Sequence, residues 1–219
     1  MSYAGYSPPC DDGLDLVYQD DFILVANKPA GLLSVPGRGA DKSDCMATRL
    51  QLNFPDALVV HRLDMSTSGL MMFARGVQMQ RRLSQMFRDH LVAKRYVAVV
   101  AGKLEPATGE IGLPIAVDWP NRPRRKIDDE TGQPSQTHYR VLSHDAASIT
   151  SRVELEPVTG RTHQLRVHMA AIGHPILGDK LYGGAAGENA VRLLLHAGEL
   201  SFAHPLGDVF LNLISGPPF

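Results

Sequence analysis

Short apolar runs separated by polar turns cover most of the chain, and helical spacing is confined to a few stretches. Leu14 to Tyr18 and Phe22 to Ala26, joined through Gln19-Asp20-Asp21, predict a β-hairpin. Asn27-Lys28-Pro29-Ala30-Gly31 and Pro36-Gly37-Arg38-Gly39 are loop signals. Ser43 or Asp44 is placed to cap a helix over Met46 to Asn53, closed by Phe54-Pro55. Leu58-Val59-Val60 begins a strand that runs into His61-Arg62-Leu63-Asp64. A polar turn, Ser66 to Gly69, leads to the apolar run Leu70 to Ala74. From Val77 to Leu91, the positions Met79, Leu83, Met86, Phe87 and Leu91 recur at helical spacing, with Arg81, Arg82 and Arg88 outside them. Arg95 to Val100 is β-rich, and Gly102 to Pro134 reads as short strands and loops. Thr137 to Leu142 and Ile149 to Leu155 alternate as strands do. Thr162 to Ile172 is helical in pattern with Gly173 as its stop, and Arg192 to Ile214 supplies two or three more strands.

Strands therefore come in adjacent pairs more often than in alternation with helices. That pattern predicts an α+β fold with a mainly antiparallel or mixed central sheet and flanking helices. Residues 1–13, with Pro8-Pro9, read as a flexible tail, and residues 14–219 as a single domain.

Composition narrows the class. With 219 residues, 44% hydrophobic and 21% charged, the chain is neither disordered, fibrous nor a small disulfide scaffold. No stretch reaches the ~20 apolar residues that cross a bilayer, and the N-terminus lacks the basic and apolar regions of a signal peptide. Cys10 and Cys45 lie far apart, outside any CxxC pattern, so reduced thiols in a cytoplasmic protein are expected. The formal net charge of −1 argues against nucleic acid until its distribution is considered. Five aspartates (11, 12, 15, 20 and 21) precede the first basic residue. Without them, 22 basic residues face 18 acidic ones, and the body stands at +4.

Four segments carry candidate chemistry. In His61-Arg62-Leu63-Asp64, strand periodicity puts Arg62 and Asp64 on one face, so a cation and a carboxylate emerge where a strand becomes a loop. Alone, four residues also fit a surface ion pair. In Gly160 to His168, a helix would place Thr162, Leu165, Arg166 and Met169 on one side, and Arg161, Leu165 and His168 on another. An arginine on a half-buried face needs an anion, either Asp64 or an RNA phosphate. His163 and His168 are five apart and do not match the HExxH zinc spacing. Tyr96, opening a β-rich run after Lys94-Arg95, fits a core residue with its hydroxyl at the rim. Trp119-Pro120-Asn121-Arg122-Pro123-Arg124-Arg125-Lys126 carries four cations and no acid, which suits either a solvated loop or a phosphate-tracking arm. A Walker loop, GxGxxG, GxSxG and a glycosidase-like carboxylate pair are all missing from the sequence.

Taken in order, these segments resemble the RluA-type pseudouridine synthases. The matching pieces are Lys28-Pro29-Ala30-Gly31-Leu32, then His61-Arg62-Leu63-Asp64 with Thr67-Ser68-Gly69, then Lys94-Arg95-Tyr96. Gly160 to His168, His174-Pro175-Ile176-Leu177-Gly178-Asp179 and Leu193-Leu194-Leu195-His196 complete the set, which spans roughly residues 22 to 206. Longer relatives carry an extra N-terminal RNA-binding domain. Strands here start at about Leu14, so the resemblance is to the short subgroup, whose members modify a tRNA anticodon stem-loop, a large-subunit rRNA hairpin, or both.

The resemblance implies the pseudouridine synthase fold with an active-site cleft, and an enzyme that needs no metal and no organic cofactor. It implies Asp64 as the essential aspartate, Tyr96 packed on the target base, Arg166 paired with the aspartate, and Leu195 as an apolar wall of the uracil pocket. A base inside a stem must be flipped out at a cost of a few kcal/mol. Arg62 is the expected side chain to fill the gap. His61, Arg161, His163, Arg122, Arg124, Arg125 and Lys126 are expected RNA contacts. The partner is then tRNA, rRNA or both, with no membrane involved, and the chain a monomer. The alternatives are a non-catalytic RNA-binding module of the same fold, or a small-molecule lyase or glycosidase using Asp64. The basic body predicts RNA binding that weakens as salt rises, with a shallower slope than a strongly basic protein gives. Filter binding across a salt series checks this, and a constant unchanged between low and physiological salt would refute it.

Overall fold

The computed structural model describes residues 5–219, so the first four residues of the expected tail lie outside the described residues. In chain order its strands and α-helices are β1 (Leu16–Gln19), β2 (Ile23–Lys28), α1 (Met46–Gln51), β3 (Ala57–Val59), β4 (Ser68–Arg75) and α2 (Val77–Arg88). Then come β5 (Ala93–Ala101), β6 (Thr108–Ile111), β7 (Ile115–Val117), β8 (Arg125–Ile127), β9 (Thr137–Asp145) and β10 (Thr150–Pro157). The last are α3 (Gln164–Ala171), β11 (Leu195–Ala203) and β12 (Phe210–Ile214). The chain divides into two compact units, Met1–Ala93 with Ala197–Pro217, and Lys94–His196 with Pro218–Phe219.

In the first unit β2 runs antiparallel to both β1 and β4, β3 joins β4, and β12 pairs with β11. The expected hairpin forms because Asp20 turns it. Its carboxylate accepts the Phe22 and Ile23 N–H groups at 2.7 Å each, and its own N–H reaches the Ile23 carbonyl. β2 and β4 are buried on both faces, which explains why they read as unbroken apolar runs rather than as alternation. α2 lays Met79 and Leu83 onto a core of Ile23, Val25, Leu70, Met72, Leu200 and Phe202, as its spacing predicts.

α1 forms as expected but is not capped by Ser43 or Asp44. Cys45 takes that position with its backbone extended. Its Sγ accepts the Thr48 N–H, and its N–H donates to Thr48 Oγ1, a reciprocal capping box. Asp44 instead holds Arg49 through two bonds of 2.8 Å. Arg49 also donates to the Pro9 and Cys10 carbonyls, and the Tyr6 hydroxyl bonds Asp44 O and Leu33 N–H, so residues 6–10 of the expected tail make specific contacts.

The second unit is built on the antiparallel order β5-β10-β9-β6, with β7 and β8 a separate pair. β10 alternates strictly, so that Ser151, Val153 and Leu155 face inward. α3 packs on β8, β9 and β10. The pairs named in both units are antiparallel, and with helices set against them the architecture is α+β.

Two buried polar groups fix the loop between β3 and β4. Lys28 closes β2 at 1% exposure, and its ammonium donates to the carbonyls of Pro29 (2.9 Å), Leu32 (2.8 Å) and Met65 (3.1 Å). The Ser34 hydroxyl donates to the Leu63 carbonyl at 2.6 Å and accepts the Leu63 N–H at 3.0 Å. Gly69 opens β4 at φ +114°, where a Cβ would collide with the main chain of Ala197. Replacing Lys28→Met keeps the apolar stem and strips a donor from three carbonyls. A buried acceptor left unmet costs ~1–3 kcal/mol, so we expect a loss of about 2–4 kcal/mol in urea unfolding.

Candidate active site

The segment 61–64 is not the strand end that its alternation suggests. β3 stops at Val59, and residues 61–64 are irregular because both main-chain groups of Leu63 go to Ser34 rather than to a neighbouring strand. The Asp64 carbonyl then accepts the Thr67 N–H to close a turn. The Met65 carbonyl accepts the Gly31 N–H as well as the Lys28 ammonium. Asp64 is thus half-buried on a loop pinned on both sides of it, at residues 63 and 65. Leu63 points inward and Arg62 is exposed. His61 turns back. Its Nε2 accepts the Met72 N–H at 2.8 Å, which places a neutral ring's proton on Nδ1, and the ring stacks on Phe87 at 4.5 Å.

In the second unit Tyr96 and Leu195 share a core. Leu195 is buried with Ala98, Val100, Leu155, Leu165 and Met169, and half-buried Tyr96 packs against that cluster. Lys94 lies two residues before Tyr96 on β5 and so faces the same way. Burial pushes the Lys94 ammonium below the ordinary lysine value.

α3 starts at Gln164, two residues later than the pattern suggests. His163 takes a left-handed conformation (φ 59°) before it, and Arg161 lies outside the helix. The Gln164 side chain locks that entry by accepting from Thr159 Oγ1 (2.7 Å) and the Arg161 N–H (3.0 Å). Residues 164–169 are all buried. Arg166 is 5% exposed and grips Asp179 (1% exposed) in a two-pronged pair, Nε to Oδ2 at 2.8 Å and Nη2 to Oδ1 at 2.7 Å. Burial alone would raise the Asp179 carboxyl. The Arg166 bonds and charge, with the Leu181 and Tyr182 N–H groups, outweigh it and hold the carboxyl below the usual aspartate value. His168 donates from Nε2 to the Leu113 carbonyl and accepts from the Thr137 hydroxyl. Burial lowers its pKa, so it is a neutral packing residue.

Tyr182 gathers three of the sequence-predicted residues. Its hydroxyl accepts the Arg125 N–H at 2.8 Å and lies 2.7 Å from His163 Nδ1, and the Arg166 guanidinium sits 5.2 Å from its ring centre. Arg161 donates to the Pro134 carbonyl. Arg122, Arg124 and Lys126 are exposed around the turn between β7 and β8, with Lys126 held by Asp128 at 2.6 Å. The sequence motifs assign no role to Ser34 or Tyr182, and Asp179 stands in a matching segment without one. Gly178-Asp179 is the one readable signal among them. At φ +73°, a Cβ on Gly178 would strike the Arg192 carbonyl, so the turn that presents Asp179 requires glycine.

Among the described residues no three His, Cys, Asp or Glu side chains converge as metal ligands. No helix among them is long and apolar enough to cross a membrane.

Residues 22–171 match the family model described as RNA pseudouridylate synthase. The chain is 51% identical over 206 residues to the dual-specificity RNA pseudouridine synthase RluA of Escherichia coli K12, covering 94% of each chain. It is 50% identical to the RluA of Vibrio cholerae, covering 94% of this chain and 83% of that one. Among solved structures, human RNA pseudouridylate synthase domain containing 1 superposes with a TM-score of 0.80 at 31% identity, covering 97% of this chain and 87% of that one. The corresponding human protein 4 gives 0.75 at 27%, covering 93% and 88%. A family match across most of the sequence, joined to half-identity over nearly its full length, places the chain in the RNA pseudouridylate synthase family.

Proposed function

We propose that this RNA pseudouridine synthase acts in the cytoplasm, as a monomer, on two kinds of structured RNA, a tRNA anticodon stem-loop and a large-subunit rRNA hairpin. The observation that supports dual use is the 51% identity over 94% of the chain to a relative named for dual specificity. In the reaction the C1′–N1 bond of a uridine breaks, the uracil turns, and C1′ bonds to C5. The C5 proton leaves and N1 takes one up, so no oxidant or reductant enters.

Asp64 is the group that acts on the ribose. Its loop suits that task, because a carboxylate held between two pinned residues needs little reorganisation when the reaction begins. Tyr96 packs on the flipped base and takes the C5 proton. An unperturbed tyrosine pKa of ~10 makes that slow at neutral pH, so the step depends on proximity to the base or on a cationic neighbour. Leu195 walls the base pocket, and Arg166 provides a charge fixed by Asp179. Arg62, exposed beside Asp64, fills the place of the flipped base. Arg161, His163 and the Arg122 to Lys126 run meet phosphates, and His61, its Nε2 engaged by the Met72 N–H, contacts RNA at the loop that carries Asp64.

Asp64→Asn should abolish tritium release from C5-labelled uridine RNA while RNA binding stays within about threefold. Release at the wild-type rate by a pure preparation would overturn the assignment. Loss of binding would instead indicate a structural role for Asp64. A second outcome concerns Asp179→Asn, which removes the carboxylate charge that two Arg166 bonds meet. Loss of one partner from a buried pair costs ~3–5 kcal/mol, and the amide recovers part of that, so about 3 kcal/mol of stability should be lost. The folded-state pKa of Asp179 lies below its unfolded value, so its contribution is complete above ~pH 4 and disappears as pH falls through the folded value. Urea titrations should therefore show a constant gap between wild type and variant near neutral pH and a narrowing gap in acid. A gap that widens in acid would contradict the pairing.

A further inference from the structure

Trp119 is the chain's single tryptophan, and it is 64% exposed. It sits in the turn between β7 and β8, and that turn is rigidly built. The Asp118 N–H donates to the Arg124 carbonyl, and the Arg124 N–H donates to the Asn121 carbonyl. The Asn121 amide reaches both carboxylate oxygens of Asp118, at 3.1 and 2.9 Å. The Arg122 guanidinium lies 4.6 Å from the indole centre, and its Nε donates to the Trp119 carbonyl. The backbone of the turn is therefore tied by these bonds, and the indole lies beside a cation while mostly open to solvent.

Beside it is a groove of about 680 Å³, lined by Trp119, Pro120, Arg125, Lys126, Arg161 and Thr162 among others. None of Tyr96, Arg166 and Leu195 lines it. Asp128 also lines the groove but is engaged with Lys126, and Asp118 is engaged with Asn121. Among the described residues no carboxylate pairs with Arg122, Arg124 or Arg125, and Arg125 Nε has no hydrogen-bond partner. An indole set against unneutralised guanidinium groups suits a ligand with a flat π-face and flanking negative charge. An unstacked nucleotide of RNA has both.

We propose that Trp119 and this groove form a stacking site for an unpaired nucleotide of the RNA substrate other than the target uridine. Arg125 and Arg161 take the flanking phosphates, and Arg122 steadies the far side of the ring. The proposal rests on RNA being the substrate. It deepens that reading by adding a contact to a base where phosphate contacts alone were expected.

The single tryptophan makes the test direct, because emission from the intact protein reports on Trp119 alone. Two hairpin RNAs are used, one with a uridine-containing loop and one whose loop and flanking unpaired nucleotides are abasic, keeping every phosphate. Binding is followed by gel shift and pseudouridine formation by tritium release. The base-bearing hairpin should quench the emission, and the abasic hairpin should bind without quenching. Trp119→Leu should raise KM for the base-bearing hairpin by roughly 5- to 100-fold, and Trp119→Phe should recover most of it. Binding and turnover without quenching would overturn the stacking site and leave the enzymatic reading intact. Equal quenching by both hairpins would also overturn it, since phosphate alone would then suffice. If neither hairpin binds, the RNA reading itself fails, and this site with it.

Discussion

A lysine with 1% exposure is costly unless its ammonium is surrounded by acceptors, and Lys28 donates to three main-chain carbonyls. Two of them, Pro29 and Leu32, belong to the loop leaving β2. The third, Met65, belongs to the loop that carries Asp64. Irregular backbone lacks the hydrogen bonds that a helix or sheet supplies automatically, and a loop that must hold a reacting carboxylate needs them from elsewhere. The ammonium provides them from one side and the Ser34 hydroxyl from the other, through Leu63. The position of Asp64 is therefore set by residues 30 or more places earlier in the chain. Pro29, which follows the lysine, has no N–H to satisfy in the same crowded corner.

The second unit meets the same requirement with the charges reversed. There the central group is a carboxylate. Asp179 accepts two bonds from Arg166 and two from the N–H groups of Leu181 and Tyr182. The guanidinium cannot rotate away without leaving those acceptors, and Tyr182, oriented by the same turn, lies against its face. Arg166 stands on a helix whose residues 164–169 are all buried, and Asp179 meets its charge there with two bonds. Lysine in its place would keep the charge and lose the planar, two-pronged fit.

These particulars decide what could be read from the amino acids. α2 and the β9–β10 pair were legible because each buries one stripe or one face, and burial leaves a period in the sequence; the β1–β2 hairpin was legible from two apolar runs joined through a short polar turn. Asp64, Tyr96, Arg166 and Leu195 stood out because their neighbours form an ordered set of motifs. The helix cap on Cys45 was not legible, since Ser43 and Asp44 are better capping residues in isolation and only the competing grip of Arg49 on Asp44 removes one of them. The alternation through His61 to Asp64 misled for a related reason. Leu63 is buried and Arg62 exposed, as on a strand, but the partner that enforces this is a serine side chain and not a strand. Ser34 and Tyr182 carry no period and no motif of their own. Their importance lies in contacts with residues far away in sequence, and composition leaves no trace of such contacts.

Net charge shows the same limit. The N-terminal acids that bring the total to −1 looked separable from a basic body. In the folded chain Asp20 builds the first hairpin, Asp15 holds Asn27, and Asp11 lies 3.8 Å from Arg49. Asp20 also accepts from the Tyr18 hydroxyl, which pushes that group up to about 12. Many of the cations are matched in the same local way, Arg75 by Asp56, Arg140 by Glu154 and Arg166 by Asp179. A paired charge contributes little field beyond its partner, so the total over the chain averages groups that RNA never meets. The turn that carries Arg122, Arg124 and Arg125 is one place where this does not happen, because those guanidinium groups stand together and have no carboxylate partner among the described residues. A near-neutral protein can therefore attract a polyanion locally, where several guanidinium groups without carboxylate partners stand in one turn.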